Sequence, residues 1–368
     1  MSQWDVSNVT MMVKMFGFSQ FNDDISQWDV SNVTDMNSMF LGSHFDGDIS
    51  HWNVSNVTNM NLMFYNSQFK GDISRWGVYG PLTNGTPVRK IVATDENIKN
   101  LVNDAIENSG IMAMYGEKCD LNFIDVSNVT DMRGLFKKLK VKVDVSQWDV
   151  SNVTNMSEMF CDSEFNGDVS QWDVSNVTNM SEMFCDSEFN GDVSQWDVSR
   201  VADMSGMFYR SRFNGDISNW NVSNVTNMSH LFCESRFKGN ISRWNVSNVT
   251  DMSYMFSDSQ FNGDISNWNV SNVTNMSLMF NASVFNGDIS KWDVSNVTNM
   301  YCMFFGAQFR GNISEWNVSK VINMHEMFNY SDYDGDIDKW DVSSNADVSG
   351  MFDRSPLEKK PPKWYKGW

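Results

Sequence analysis

Tryptophan recurs on a single 24-residue lattice, at positions 4, 28, 52 and 76, then at 148, 172, 196, 220, 244, 268, 292, 316, 340 and 364. The interval from Trp76 to Trp148 is three such steps with Ile124 on the grid, and only Trp368 lies off it. A repeat this strict replaces the usual expectation of two or three unrelated domains for 368 residues. The chain reads instead as an array of like units, each burying its apolar side against its neighbours.

Two periodicities lie inside one unit. The stretch Val193-x-x-Trp196-x-Val198-x-x-Val201 alternates at its centre as a half-buried strand does. Val177, Met180, Met183, Phe184 and Ser187 step by three and four, as one or two helical turns do, and Thr178 stands where a cap is wanted. Asn190-Gly191-Asp192 reads as a turn into the next strand. The expected fold is a leucine-rich-repeat-like α/β solenoid, with one short parallel β-strand plus one short helix per 24 residues. All five prolines (Pro81, Pro87, Pro356, Pro361, Pro362) fall outside the regular copies, as a ladder that needs each backbone N–H requires.

The phrase FNGDIS-x-W-DVSNVTNMS-x-MF resembles the BspA-like leucine-rich repeats of bacterial surface proteins, also met in mycoplasmas, protists and large DNA viruses of protists. The resemblance covers nearly the whole chain. Residues 94–136 are similar to the segment that opens such arrays, and MFDRSPLEKKPPKWYKGW to their Pro/Lys-rich closing segment. The resemblance implies a scaffold and, because relatives are often surface or adhesion proteins, a role in display; it implies no particular chemistry.

Four segments follow. Residues 1–76 hold a three-repeat array. Residues 77–119 break the pattern: Val88–Ala93 suits a strand, and Thr94 caps a helix whose Ile98, Leu101, Val102, Ala105 and Ile106 form one stripe ending before Gly110. The 24-residue phase resumes unchanged at Asp120, so this segment is either a degenerate repeat in one continuous solenoid or the cap of a second array; a cap-like insert is favoured. Residues 120–340 carry the regular array. Residues 341–368 form a C-terminal cap whose Lys359, Lys360, Lys363 and Lys366 read as a solvated basic tail in preference to a docking motif.

Composition excludes several classes. With 27 basic and 46 acidic side chains the net charge is −19, which argues against nucleic-acid binding. No run of 18 apolar residues is present, so no membrane insertion is expected. Met1-Ser2-Gln3-Trp4-Asp5 lacks the features of a signal peptide, which leaves localisation unknown: intracellular or particle-associated unless the chain is a fragment of a surface protein.

The repeat also supplies repeated chemistry. Asp24, Asp48, Asp72, Asp144, Asp168, Asp192, Asp216, Asp264, Asp288 and Asp336 share one position, where calcium bridging and turn hydrogen bonding compete. Asn240 and Asn312 at the same position favour turns, so no cofactor is expected and calcium is disfavoured. Asn-Val-Thr recurs at Asn8, Asn32, Asn152 and Asn296 among others, and reads as a stacked asparagine ladder in preference to glycosylation sequons. Cys161 and Cys185 share a position in adjacent copies and come within reach of a disulfide, yet free thiols at a variable surface position are the default. None of the five cysteines has metal-ligand spacing with His44, His51, His230 or His325, and no nucleophilic triad or phosphate loop emerges; no metal site and no enzyme activity is expected. The tryptophan column reads as buried core in preference to an exposed stacking platform.

Recognition is expected where copies differ. Before each tryptophan the residue varies and includes Arg75 and Arg243 on a polar face. On the opposite edge Tyr209, Arg210, Arg212 and Arg236 form a basic-aromatic island, and Tyr254, Phe305 and Tyr330 add aromatics; Tyr and Arg suit interface hot spots. The expected function is non-catalytic binding of a protein or glycan partner. The alternative is a self-assembling structural component, stacking end to end through an uncapped edge near Trp4.

Overall fold

The computed structural model describes residues 4–76, 78–79, 88–89, 91–108 and 118–366. They divide into two compact units, one of residues 1–93 with 120–126 and one of 94–119 with 127–368.

In the second unit each copy runs as a chain of turns. Around Trp196 the carboxylates of Asp192 and Asp197 accept the N–H groups of Ser194 and Ser199, at 2.9 and 3.0 Å. The N–H groups of Trp196 and Val201 close turns on the carbonyls of Val193 and Val198. An Asx acceptor that takes the N–H two residues on competes with strand pairing, so the tryptophan phrase is not the expected strand. Parallel bridging lies instead on the Asp/Asn column Asp131, Asn155, Asn179, Asp203, Asn227 and onward to Asp347.

The expected helix is likewise replaced. From Met180 on, alternate N–H groups leave the copy: those of Met180, Glu182, Phe184 and Asp186 donate to the carbonyls of Asp203, Ser205, Met207 and Tyr209 in the next copy, at 2.7–3.0 Å. The intervening N–H groups of Met183 and Cys185 close turns on Met180 and Glu182. A helix would need each N–H to bond four residues back. Overlapping turns give the same three-and-four spacing of inward side chains, which is why the pattern reads helically. Thr178 is no cap; its N–H and hydroxyl both donate to the Thr154 carbonyl of the preceding copy.

These turns impose left-handed backbone. Among the described residues, the twenty-one non-glycine residues and five glycines with positive φ occupy two repeat positions only, those of Glu182 (54°) and Asp186 (49°). A positive φ at the third residue of a four-residue turn is the type II geometry. No valine, isoleucine, threonine or proline occurs among them, in line with the steric cost of a branched Cβ there.

Inside the turns, aromatic rings form continuous columns. Phe184 stacks on Phe208 at 6.0 Å, Phe189 on Phe213 at 6.2 Å, and Trp220 on Trp244 at 6.5 Å, and the lattice tryptophans from Trp148 to Trp340 are buried as expected. From Trp172 to Trp364 each lattice indole N–H reaches a carbonyl 27 residues earlier; that of Trp196 meets Val169 at 3.0 Å. Glycine at position 191 is fixed by packing, since a Cβ would lie 2.8 Å from the Phe189 ring. The sequon asparagines form the expected ladder, as where the Asn176 amide donates to the Ser151 carbonyl at 2.7 Å.

The helix Ile98–Asn108 opens this unit with Ile98 and Val102 buried. The Asn97 side chain accepts the Thr94 N–H, as the third residue of a capping box does. Asp95 takes the N–H and hydroxyl of Thr130 at 2.7 and 2.6 Å, the place a preceding threonine carbonyl fills elsewhere. Gly110 lies outside the described residues. At the other end the tail is more than solvated lysines: Trp364 continues the indole column by bonding Ile337, and Lys363 pairs with Asp338 at 2.7 Å.

The first unit repeats this pattern in three copies, with Trp28, Trp52 and Trp76 stacked at 6.4 and 6.2 Å. Val78–Tyr79 then pairs antiparallel with Val88–Arg89, and Ile91–Val92 pairs parallel with Ile124–Asp125. The expected strand over 88–93 is thus two short strands with different partners.

Turn carboxylates make the array acid-sensitive. Bonds from serine N–H and hydroxyl groups hold Asp168, Asp173, Asp192, Asp197, Asp264 and Asp288 below the usual carboxylate range. A depressed folded pKa stabilises the fold above the unfolded value of about 3.9, and that contribution disappears as pH falls through the folded value. Thermal melts are therefore expected to shift downward below about pH 4. Asp173→Asn, which keeps the acceptor as Asn221 does, is expected to reduce the shift; an identical pH dependence in a variant with several such changes contradicts this origin.

Candidate interaction face and thiol cluster

The turn ladder carries the positions that differ most between copies. Tyr209 is half-buried and donates its hydroxyl to Glu234 at 3.3 Å, while Arg210 reaches the other Glu234 oxygen at 2.7 Å and lies 5.2 Å from the Tyr209 ring. Arg212 pairs with Glu188 at 2.6 Å. Two of the island's three arginines are thereby neutralised: Arg210 and Arg212 each meet a glutamate at the same repeat position one copy away. Arg236 is exposed at the position of Arg212 in the next copy.

Tyr254 does not stand alone. It stacks on His230 at 4.3 Å, and His230 meets Tyr209 edge-on at 6.3 Å. Burial holds the His230 imidazole below its ordinary pKa, so the neutral ring is favoured. Tyr301 stacks on His325 at 5.6 Å. Phe305 lies 5.7 Å from Tyr330, whose ring is covered by Arg354 at 4.5 Å. Arg243 stands apart, exposed beside Trp244, and Arg75 in the first unit bonds His51 at 3.0 Å in a shallow depression with Asp46, Asp48 and Asp72. The sequence pattern does not single out His230, Tyr301 and His325 as interaction residues, although adding 24 to 230 gives Tyr254 and adding 24 to 301 gives His325.

Residues 148–171 and 172–195 are identical in sequence, so stacking sets each side chain against its twin. Cys161 and Cys185 are free and buried, not surface thiols, and the Cys185 thiol donates to the Asp186 carboxylate at 3.9 Å. The ladder bonds from Lys138 to the Cys161 carbonyl and from Asp162 to the Cys185 carbonyl hold them in register at 2.8 Å. The neighbouring Cys185 thiol, and then the Lys137 ammonium, hold Cys161 below the usual thiol range, while the Cys161 thiol and burial push Cys185 up. The Glu182 carboxylate lies with both sulfurs, all three donor atoms within 4.8 Å of one another. Cys233, further along this column, is pushed by burial to about 12.

A groove beside this cluster is lined by Glu182, Cys185, Gly206, Tyr209 and His230. Gly206 stands at the position of Glu182 in the next copy, and a Cβ there would lie 3.1 Å from the Glu182 side chain.

The family model described as "Mycoplasma protein of unknown function, DUF285" matches residues 1–101, 109–214, 210–308 and 281–364. No curated protein and no solved structure matches the chain. No helix among the described residues is long and apolar enough to cross a membrane. With four successive matches spanning almost all of its length, the chain is a repeat protein and belongs to the DUF285 family.

Proposed function

We propose that this chain is a non-catalytic interaction solenoid of the BspA-like, leucine-rich-repeat-like kind, which binds a protein or glycan partner through its turn ladder. The observation that carries the reading is the stacked ribbon of Tyr209, His230 and Tyr254. Elsewhere these two columns carry residues such as Glu182, Leu278, Cys185 and Asn281, so the aromatic patch is local and not demanded by the repeat. Rigid aromatic faces beside the Arg210–Glu234 pair suit a sugar ring or an interface hot spot. The resemblance to surface and adhesion repeats supports the same direction.

The test is binding of the full chain to a glycan array and to a panel of purified host-surface proteins. A specific partner is expected, with affinity reduced at least about tenfold, or about 1.4 kcal/mol, in Tyr209→Ala/Tyr254→Ala while the melting temperature holds. Absence of any specific partner, or unchanged affinity in the variant, contradicts the reading.

A further inference from the structure

The geometry points to a binding site for a thiophilic divalent cation, of the zinc or cadmium type, formed by Cys161, Cys185 and Glu182. Among the described residues this is the one grouping of three cysteine, histidine or acidic donor atoms that close together. Its parts come from the repeat itself. Identical copies stack in register, so two thiols share one column, and the glutamate three residues before Cys185 joins them.

The donor set fits the ion. Zinc takes thiolate sulfur at about 2.3 Å and carboxylate oxygen at about 2.0–2.2 Å, so tetrahedral donors stand about 3–4 Å apart. The three atoms here lie within 4.8 Å, and rotation of the exposed Glu182 side chain closes the difference. Two soft sulfurs select against magnesium and calcium, which prefer oxygen cages. The groove lined by Glu182, Cys185 and Gly206 leaves room for solvent as a fourth ligand. On binding, the thiol protons pass to solvent, leaving two thiolates and one carboxylate around the cation with no change of oxidation state. Lys137 is the nearby cation, acting on Cys161.

The test uses the full chain with its five thiols reduced. Zinc is expected to bind with one equivalent per chain and to protect Cys161 and Cys185, but not Cys233, from alkylation mapped by mass spectrometry. Cobalt is expected to give a thiolate-to-metal charge-transfer band. Cys161→Ser and Cys185→Ser should each abolish the band and the stoichiometric equivalent, and Glu182→Gln should weaken binding. Serine is safe in this column, since Ser257 occupies it two copies beyond Tyr209. Cys233→Ser should leave binding unchanged. The site is overturned if Cys185→Ser retains the zinc equivalent, if no charge-transfer band forms, or if alkylation of the pair is as fast with zinc as without.

Discussion

Trp244→Ala is expected to destabilise the second unit by about 3–5 kcal/mol, the range for removing a large buried aromatic. The indole is about 4% exposed, stacks on Trp220 at 6.5 Å, lies tilted against Phe232 at 6.2 Å, and donates its N–H to Ile217 at 3.0 Å. Alanine opens a cavity and removes one of the two donors on the Ile217 carbonyl, which keeps the Trp220 N–H at 3.2 Å. Trp244→Phe keeps a ring in the column and forfeits chiefly the indole hydrogen bond, for a loss of about 0.5–1.5 kcal/mol. Trp4→Ala is the comparator: its ring stacks on Trp28 but is half exposed, so the loss should be much smaller. Equilibrium denaturation of the three variants checks the order, and equal losses at Trp4 and Trp244 contradict a column whose energy comes from burial.

Ala282→Gly is expected to leave stability unchanged or raise it by up to about 1 kcal/mol. Ala282 is exposed with φ of 50°, a region that glycine enters freely and alanine enters at a cost of about 1–2 kcal/mol, offset by the greater unfolded-state freedom of glycine. In a helix the same change would cost about 1 kcal/mol, so its sign separates the two backbones. Ala282→Pro is expected to cost about 3 kcal/mol or more. Proline fixes φ near −65°, and it removes the N–H that reaches Phe305 at 2.7 Å. Chemical denaturation midpoints of the two variants decide; a loss of about 1 kcal/mol in Ala282→Gly sinks the left-handed assignment.

The 24-residue period makes the columns legible in the sequence. Tryptophans on one lattice imply their burial, the stacking of the copies and the asparagine ladder. The backbone inside a copy is less legible because turns overlapping by two residues bury Met180, Met183, Phe184 and Ser187 at the same intervals as a helix. The distinguishing signal is the set of three Asp/Asn-x-Ser pairs per copy: Asp192 with Ser194, Asp197 with Ser199, and Asn179 with Ser181. Such acceptors draw the backbone into turns at three points and leave little room for either regular element.

Side-chain meetings between copies follow from adding or subtracting 24. That step pairs Cys161 with Cys185, but Glu182 joins them from a neighbouring column and escapes a ligand spacing framed on histidines alone. The Arg210–Glu234 and Arg212–Glu188 pairs are each separated by 24 residues, so the sequence itself already cancels two of the island's three arginines. The burial of the thiols has no such signal, because it depends on how neighbouring copies cover a position that follows an inward phenylalanine.

Far-ultraviolet circular dichroism of the intact chain tests most directly whether the copies stack through turns. Among the described residues the α-helix is confined to the 11 residues Ile98–Asn108. The account predicts a helical signal of only a few per cent of the chain, unchanged in a variant carrying glycine at several left-handed positions. A signal corresponding to a helical turn in every copy, diminished by those glycines, would contradict it.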